Sequence, residues 1–75
     1  MKNHDNASRV AAGNARAFAA RQKLSGREIA RRLELTPVYV SRRLSGEVEF
    51  SESDIRRFAE VLEIPAASLL TEGNQ

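Results

Sequence analysis

The sequence has no cysteine and no tryptophan, one tyrosine, one histidine and no long hydrophobic run. Without cysteine, neither disulfide bonds nor cysteine-ligated zinc can stabilise the chain. The histidine, His4, lies in a polar amino-terminal stretch and predicts no metal or cofactor site. No apolar run approaches the roughly 20 residues of a membrane span, and no secretory signal is present. We therefore expect a cytoplasmic protein with no membrane contact and no small-molecule ligand.

The 75 residues predict one domain with a small core, because a chain of this size buries only about 60% of its unfolded surface. Charge is distributed unevenly along it. Residues 1–46 carry ten lysines and arginines against three acidic residues, whereas residues 47–75 carry two against seven. A basic half of this kind is typical of a surface that binds a polyanion, and the alternative is ordinary solvated helix surface.

Capping residues and apolar spacing predict an all-α, compact bundle of five short helices. Asp5, Asn6 or Ser8 is expected to cap the first helix. The helices are predicted to run to about residue 22 and to span about 26–33, 37–44, 52–62 and 66–70. The ordered core is expected at residues 8–70, with tails at 1–6 and 71–75. Leu69 and Leu70 are both expected to close the bundle.

Two helix starts lie eleven residues apart in the segment 25–46. Ser25 and Glu28 have the spacing of a capping box, in which each side chain accepts from the other residue's backbone N–H. Thr36 followed by Pro37 is a hydroxyl cap with proline at the first helical position. Two short helices joined by so tight a connector cross steeply. The pattern predicts a helix-turn-helix unit, which presents its second helix to the DNA major groove.

A step of about 100° per residue assigns the faces of the helix at 37–44. With Val40 on the core side, Leu44 and Pro37 also face inward. The opposite face is expected to contact bases and consists of Val38, Ser41, Arg42 and Ser45. Among these, Arg42 fits the O6 and N7 acceptors of guanine, and Val38 fits a thymine methyl.

Phosphate contacts are expected at helix termini, where free N–H groups and the helix dipole favour anions, and on the flanks of the second helix. The predicted residues are Lys23, Ser25, Gly26, Arg27, Thr36, Tyr39, Arg43 and Gly46. Arg31 and Arg32 are either solvated or in contact with DNA. Lys2 belongs either to a disordered tail or to an arm that enters a minor groove.

The chain resembles the lambda repressor and Cro-like helix-turn-helix family over about residues 8–70. The matching residues are Ile29, Ala30, Leu33, Leu35, Val40, Gly46 and the segment 64–70. Two positions depart from the family pattern: Glu34 replaces the usual turn glycine, and Arg43 replaces an apolar residue. A left-handed Glu34 would cost about 1 kcal/mol, so we expect a slightly different turn. The second departure leaves open which of Arg42 and Arg43 faces the bases.

The resemblance and the charge pattern together predict a sequence-specific, double-stranded DNA-binding transcription regulator. The favoured form is a phage or mobile-element repressor, either an immunity repressor or a Cro-like protein, that occupies an operator, with a homodimer as one possibility. The alternative is a protein-interaction module such as an antitoxin. An enzyme is not expected, because the sequence offers no set of histidine, carboxylate and nucleophile and no glycine-rich phosphate loop.

Overall fold

The computed structural model describes residues 3–72, which form five helices and no strand. The helices are α1 (Asn3–Gln22), α2 (Gly26–Leu33), α3 (Pro37–Ser45), α4 (Glu52–Leu62) and α5 (Ala66–Leu70). The predicted all-α architecture is confirmed, and the bounds of α2, α4 and α5 are as predicted. The side chain of His4, the arm at Lys2 and the tail at 73–75 lie outside the described residues.

The start of α1 differs from the prediction. The helix begins at Asn3, so Asp5, Asn6 and Ser8 lie inside it and none of them is its cap. Neither glycine nor proline interrupts residues 3–8, and the alanine-rich helix continues through them. The hydroxyl of Ser8 accepts instead from the backbone N–H of Phe50 at 2.8 Å. This bond ties α1 to the segment that precedes α4.

The buried face of α1 consists of small residues that let three other helices approach it closely. Those helices are α3, α4 and α5. The face includes Ala11, Ala12, Ala15 and Ala19, each at most 5% exposed. Asn14 lies among them, fully buried, and its amide donates to the carbonyls of Leu69 at 2.8 Å and Thr71 at 3.0 Å. Asn14 thereby fastens the carboxyl-terminal helix to the amino-terminal one, a role that the sequence analysis did not foresee.

The core is one cluster to which all five helices contribute. Its largest fully buried apolar side chains are Phe58, Ile29, Leu62, Leu69 and Val40. Two of these, Phe58 and Leu62, belong to α4. The expectation for Leu70 is wrong, because its side chain is 48% exposed. Adjacent residues of a helix point about 100° apart, so the short α5 turns Leu69 inward and Leu70 outward.

Three helices end in the same backbone motif. A non-glycine residue takes the left-handed conformation, and the N–H of the next residue donates to the carbonyl of a buried alanine five positions back. The three pairs are Lys23–Leu24 with Ala19 at 2.9 Å, Glu34–Leu35 with Ala30 at 2.9 Å and Glu63–Ile64 with Ala59 at 3.0 Å. Glu34 has φ 60° and ψ 39°. The expected change in the turn is therefore wrong, since Glu34 adopts the backbone conformation that glycine takes most easily.

Candidate nucleic-acid interface

The start of α2 is capped by one side chain only. Ser25 Oγ accepts from the N–H of Glu28 at 3.1 Å, as predicted. The reciprocal half of the capping box is wrong, because the Glu28 carboxylate accepts from Arg31 and from Arg32, the latter at 2.9 Å. Hydrogen bonds from these two guanidinium groups lower the pKa of Glu28 below its usual value. Glu28 therefore neutralises part of the positive charge of α2. Arg27, in contrast, is exposed at the start of this helix and does not contact the Glu28 carboxylate.

The start of α3 matches the prediction, and α3 packs against α2. Thr36 Oγ1 accepts from the N–H of Tyr39 at 3.1 Å, with Pro37 in the first turn. A methyl group added at Gly26 would lie 3.7 Å from Leu44 and 3.8 Å from Val40, which is ordinary contact distance. The start of α2 therefore lies against the α3 side chains Val40 and Leu44.

The outward face of α3 carries the four residues predicted to contact bases. Val38 is 56% exposed, and Ser41, Arg42 and Ser45 are exposed as well. Ser45 Oγ also donates to the carbonyl of Arg42 at 3.1 Å and accepts from the N–H of Glu47 at 3.2 Å. The structure therefore gives this face one apolar, two hydroxyl and one cationic side chain.

The inward face of α3 differs from the prediction at one residue. Val40 is fully buried and Leu44 is half-buried against the core, as expected. Pro37 is exposed, so its predicted inward position is wrong. It occupies the first position of the helix, whereas Val40 and Leu44 lie about one and two turns further along.

The residues predicted to contact phosphate are grouped around the starts of α2 and α3 and the end of α3. Lys23, Ser25, Arg27, Thr36 and Gly46 are exposed, and Gly26 is half-buried. Gly46 ends α3 with φ 89°, in the left-handed region. Contact of these residues with DNA stays a prediction.

Tyr39 and Arg43 have partners inside the domain. Both reach Asp54, a fully buried carboxylate in the first turn of α4. The Tyr39 hydroxyl donates to Asp54 Oδ1, and Arg43 Nε donates to Oδ2 at 3.1 Å. The Arg43 guanidinium also lies over the Tyr39 ring, 3.6 Å from its centre. From the sequence, Tyr39 and Arg43 are predicted to contact phosphate, and Ser51 with Asp54 is predicted to start the fourth helix. The start of α4 is confirmed, whereas the contacts of Asp54 with α3 were not predicted.

Asp54 also closes the capping box of α4. Its carboxylate accepts from the N–H of Ser51 at 2.9 Å, and the Ser51 hydroxyl accepts from the N–H of Asp54 at 3.1 Å. Burial alone would raise the pKa of Asp54, but the hydrogen bonds from Ser51, Tyr39 and Arg43 outweigh it and lower the pKa. The bond to Asp54, together with burial, raises the pKa of Tyr39 above 10.0. The carboxylate is thus charged at neutral pH and links α3 to α4.

Arg16 on α1 binds the end of α3. Its guanidinium donates to the carbonyl of Leu44, one of the carbonyls that the last turn of a helix leaves without an intrahelical partner. A cation at this end also interacts favourably with the helix dipole. Arg16 and Leu44 are 28 residues apart in the chain, so no local sequence pattern predicts their contact.

Among the side chains that the structure describes, those of residues 6–72, no group of three histidine, cysteine, aspartate or glutamate residues is placed to hold a metal ion. The helices of this part of the chain are too short or too polar to cross a membrane.

Two short helices that follow each other closely in the chain and pack together, with an exposed face on the second and cations at the start of the first, define a helix-turn-helix domain. The model of a helix-turn-helix domain family matches residues 10–70, and the chain belongs to this family. Domains of this kind typically bind DNA and are typically not enzymes. No curated protein and no solved structure matches the chain.

Proposed function

We propose that the protein is a sequence-specific, double-stranded DNA-binding transcription regulator that inserts α3, the recognition helix, into the major groove. The observation that supports this most directly is the exposed row of Val38, Ser41 and Arg42 on α3. Such a row offers a methyl-binding surface, a hydroxyl and a bidentate donor, which are the groups that read base edges.

Arg42 is the main base-reading residue of the proposal. Its planar guanidinium matches the O6 and N7 acceptors of guanine. Ser41 donates to or accepts from a neighbouring base, and Val38 packs on a thymine methyl. Ser45 extends the row at the end of α3, where its hydroxyl already bonds with the backbone.

The remaining contacts position the protein on the DNA backbone. Lys23, Arg27 and the N–H groups at Ser25 and Gly26 bind phosphate at the start of α2, where the helix dipole favours an anion. Thr36 and Gly46 bind phosphate at the two ends of α3. Tyr39 and Arg43 are proposed to act through Asp54 instead, because the Tyr39 hydroxyl and Arg43 Nε already donate to this carboxylate.

The proposed regulator is a phage or mobile-element repressor, either an immunity repressor or a Cro-like protein, that acts by occupying an operator. A domain of this size presents one recognition helix, so high specificity is best achieved by two copies on a two-fold symmetric site. Half-sites would then lie about 34 Å apart, one turn of B-DNA.

A salt titration of binding to DNA flanking the gene, followed by footprinting, tests the proposal. Affinity should fall steeply with salt, because each phosphate contact releases a counterion, and protection should cover one short site or two half-sites one turn apart. Absence of DNA affinity at low salt would contradict the proposal and favour the protein-interaction alternative, such as an antitoxin.

The role of Arg42 is tested by selection on randomised operators. Arg42→Ala should weaken binding to the selected operator by about 1–3 kcal/mol and relax discrimination at one G·C pair. Arg56→Ala is the matched control, since Arg56 is also an exposed arginine and lies on α4. Equal effects of the two substitutions on base preference would contradict the assignment of Arg42.

A further inference from the structure

We propose that Asp54 is a positioning residue that determines specificity. It keeps Arg43 away from the DNA backbone, so that attraction of Arg43 to phosphate, which is independent of sequence, does not reduce the discrimination provided by Arg42. This role presupposes the DNA binding proposed above. It explains why a buried carboxylate lies behind the helix that is proposed to face a polyanion.

Two contacts and burial hold the Arg43 side chain in place. Its Nε donates to Asp54 Oδ2 at 3.1 Å, its guanidinium stacks on Tyr39, and its side chain is only 18% exposed. Tyr39 is itself fixed, because its hydroxyl donates to the same carboxylate. Asp54 in turn is held by the backbone of Ser51 at the start of α4. The cation is therefore directed toward α4 and away from solvent.

Arg43 follows Arg42 directly in the last turn of α3 and lies on the flank of the exposed row. A long side chain released at this position extends into solvent beside the proposed groove contact. An additional cation there would bind phosphate whatever the base sequence is, and each such contact makes the slope of log K against log salt steeper by about 0.9. Specificity is the ratio of operator binding to non-specific binding, so this contact would lower it.

The experiment compares Asp54→Asn with the wild-type protein on a random-sequence duplex and on the selected operator over a series of salt concentrations. Asp54→Asn is expected to bind the random duplex more tightly at low salt, with a slope steeper by about 0.9. Its ratio of operator to random binding should fall. A purely structural role would lower affinity for both duplexes and would not make the slope steeper.

Matched variants separate release of Arg43 from other effects. Glu52→Gln makes the same change of charge at an exposed position of α4 and should leave the slope near the wild-type value. Adding Arg43→Met to Asp54→Asn should restore the wild-type slope. Adding Arg57→Met should not, although Arg57 also approaches Asp54, with Nη1 3.8 Å from Oδ1. Equal slopes for Asp54→Asn and Glu52→Gln would overturn the proposal. So would an Asp54→Asn protein whose wild-type slope is restored by adding Arg57→Met but not by adding Arg43→Met.

Arg43→Met in the wild-type background keeps the proposal testable even where Asp54→Asn does not fold. Because Arg43 is already withheld, this variant should keep the wild-type salt slope on random DNA. A slope shallower by about 0.9 would show that Arg43 contacts phosphate in the wild-type complex and would overturn the proposal. Failure of the wild-type protein to bind any DNA would instead refute the proposed function.

Discussion

Glu34→Gly is expected to stabilise the domain, although glycine usually weakens a helical protein. Glu34 has φ 60° and is exposed at the end of α2. The Cβ atom of an L-residue in this conformation costs about 1–2 kcal/mol. Glycine removes that cost without changing the backbone, so the bond from the N–H of Leu35 to the carbonyl of Ala30, 2.9 Å long, stays in place.

The magnitude follows from two opposing contributions. Relief of the left-handed conformation contributes about 1–2 kcal/mol, and the greater freedom of glycine in the unfolded chain costs about 0.5–1 kcal/mol. At the midpoints of the two ranges, the net gain in the free energy of unfolding is about 0.75 kcal/mol. For a domain of this size 1 kcal/mol shifts the midpoint by about 4–8 °C, so Tm should rise by about 3–6 °C.

Thermal and urea unfolding, monitored by the helical circular dichroism signal, measure this gain, and two further variants control it. Glu63→Gly changes an equivalent helix end, with φ 59°, and should give a similar gain. Gly46→Ala is the converse, because Gly46 has φ 89° and no atom lies within 4 Å of an added Cβ. It should lose about 1 kcal/mol for conformational reasons alone.

An unchanged or lower Tm for Glu34→Gly, together with the expected loss for Gly46→Ala, would refute the reasoning. That combination would mean that the Glu34 side chain stabilises the native turn by as much as its backbone conformation costs.

Ala30→Leu should lower the free energy of unfolding by about 1–3 kcal/mol in a thermal melt, because Ala30 is 1% exposed and the site would be overpacked; a parent-like melt would contradict the tight packing there. Arg27→Ala should make the salt slope of DNA binding shallower by about 0.9 on every sequence, and an unchanged slope would show that Arg27 stays solvated. Tyr39 is the only tyrosine, so an absorbance titration reports its pKa directly: the midpoint should exceed 10.0 and should fall in Asp54→Asn. Because the native pKa of Tyr39 is raised, its contribution to stability is present below pH 10 and is lost as the pH rises through that pKa. The pKa of Asp54 is lowered, so its contribution to stability is lost as the pH falls below about 4. Chemical denaturation at several pH values checks both signs, and a Tyr39→Phe variant whose stability falls as steeply as that of the wild type at high pH would contradict the contribution of Tyr39.

Local signals in the sequence predicted most of the helices and the orientation of α3. Ser25 and Thr36 are caps whose hydroxyls accept within the next three residues, and such bonds depend only on neighbouring positions. The burial of Val40 and the exposure of Arg42 follow from helical periodicity, which also needs no knowledge of the partner helix.

The contacts that the sequence analysis missed join distant parts of the chain. Asn14 donates to residues more than 50 positions away, and Arg16 donates to a carbonyl 28 positions away. Arg43 has the composition of a DNA contact, and only the folded arrangement shows that Asp54 faces it. A periodic pattern identifies the face on which a side chain lies, but packing decides which group it meets.

The left-handed helix ends were hidden for a different reason. Lys23, Glu34 and Glu63 are not residues that favour positive φ. The N–H of the apolar residue that follows each of them reaches a buried alanine carbonyl, and two of these residues, Leu24 and Ile64, pack against the core. The hydrogen bond that closes each helix thus overrides the local preference at all three ends.

Asn14 has a consequence for the topology of the chain. Because it fastens α5 to α1, the two ends of the described chain lie side by side, and the side chains of Asn6 and Glu72 approach to 3.4 Å. A circular permutant that joins these ends by a short linker and opens the loop at 47–50 would keep every helix in place. In that chain the contact between α1 and α5 becomes local, while the contact between Arg43 and Asp54, which are 11 residues apart in the native chain, joins helices at opposite ends. Folding rates fall as contacts span longer stretches of chain. A permutant that folds more slowly than the native chain would indicate that the contact between Arg43 and Asp54 forms early in folding. A permutant that folds faster would indicate that the contact between α1 and α5 forms early.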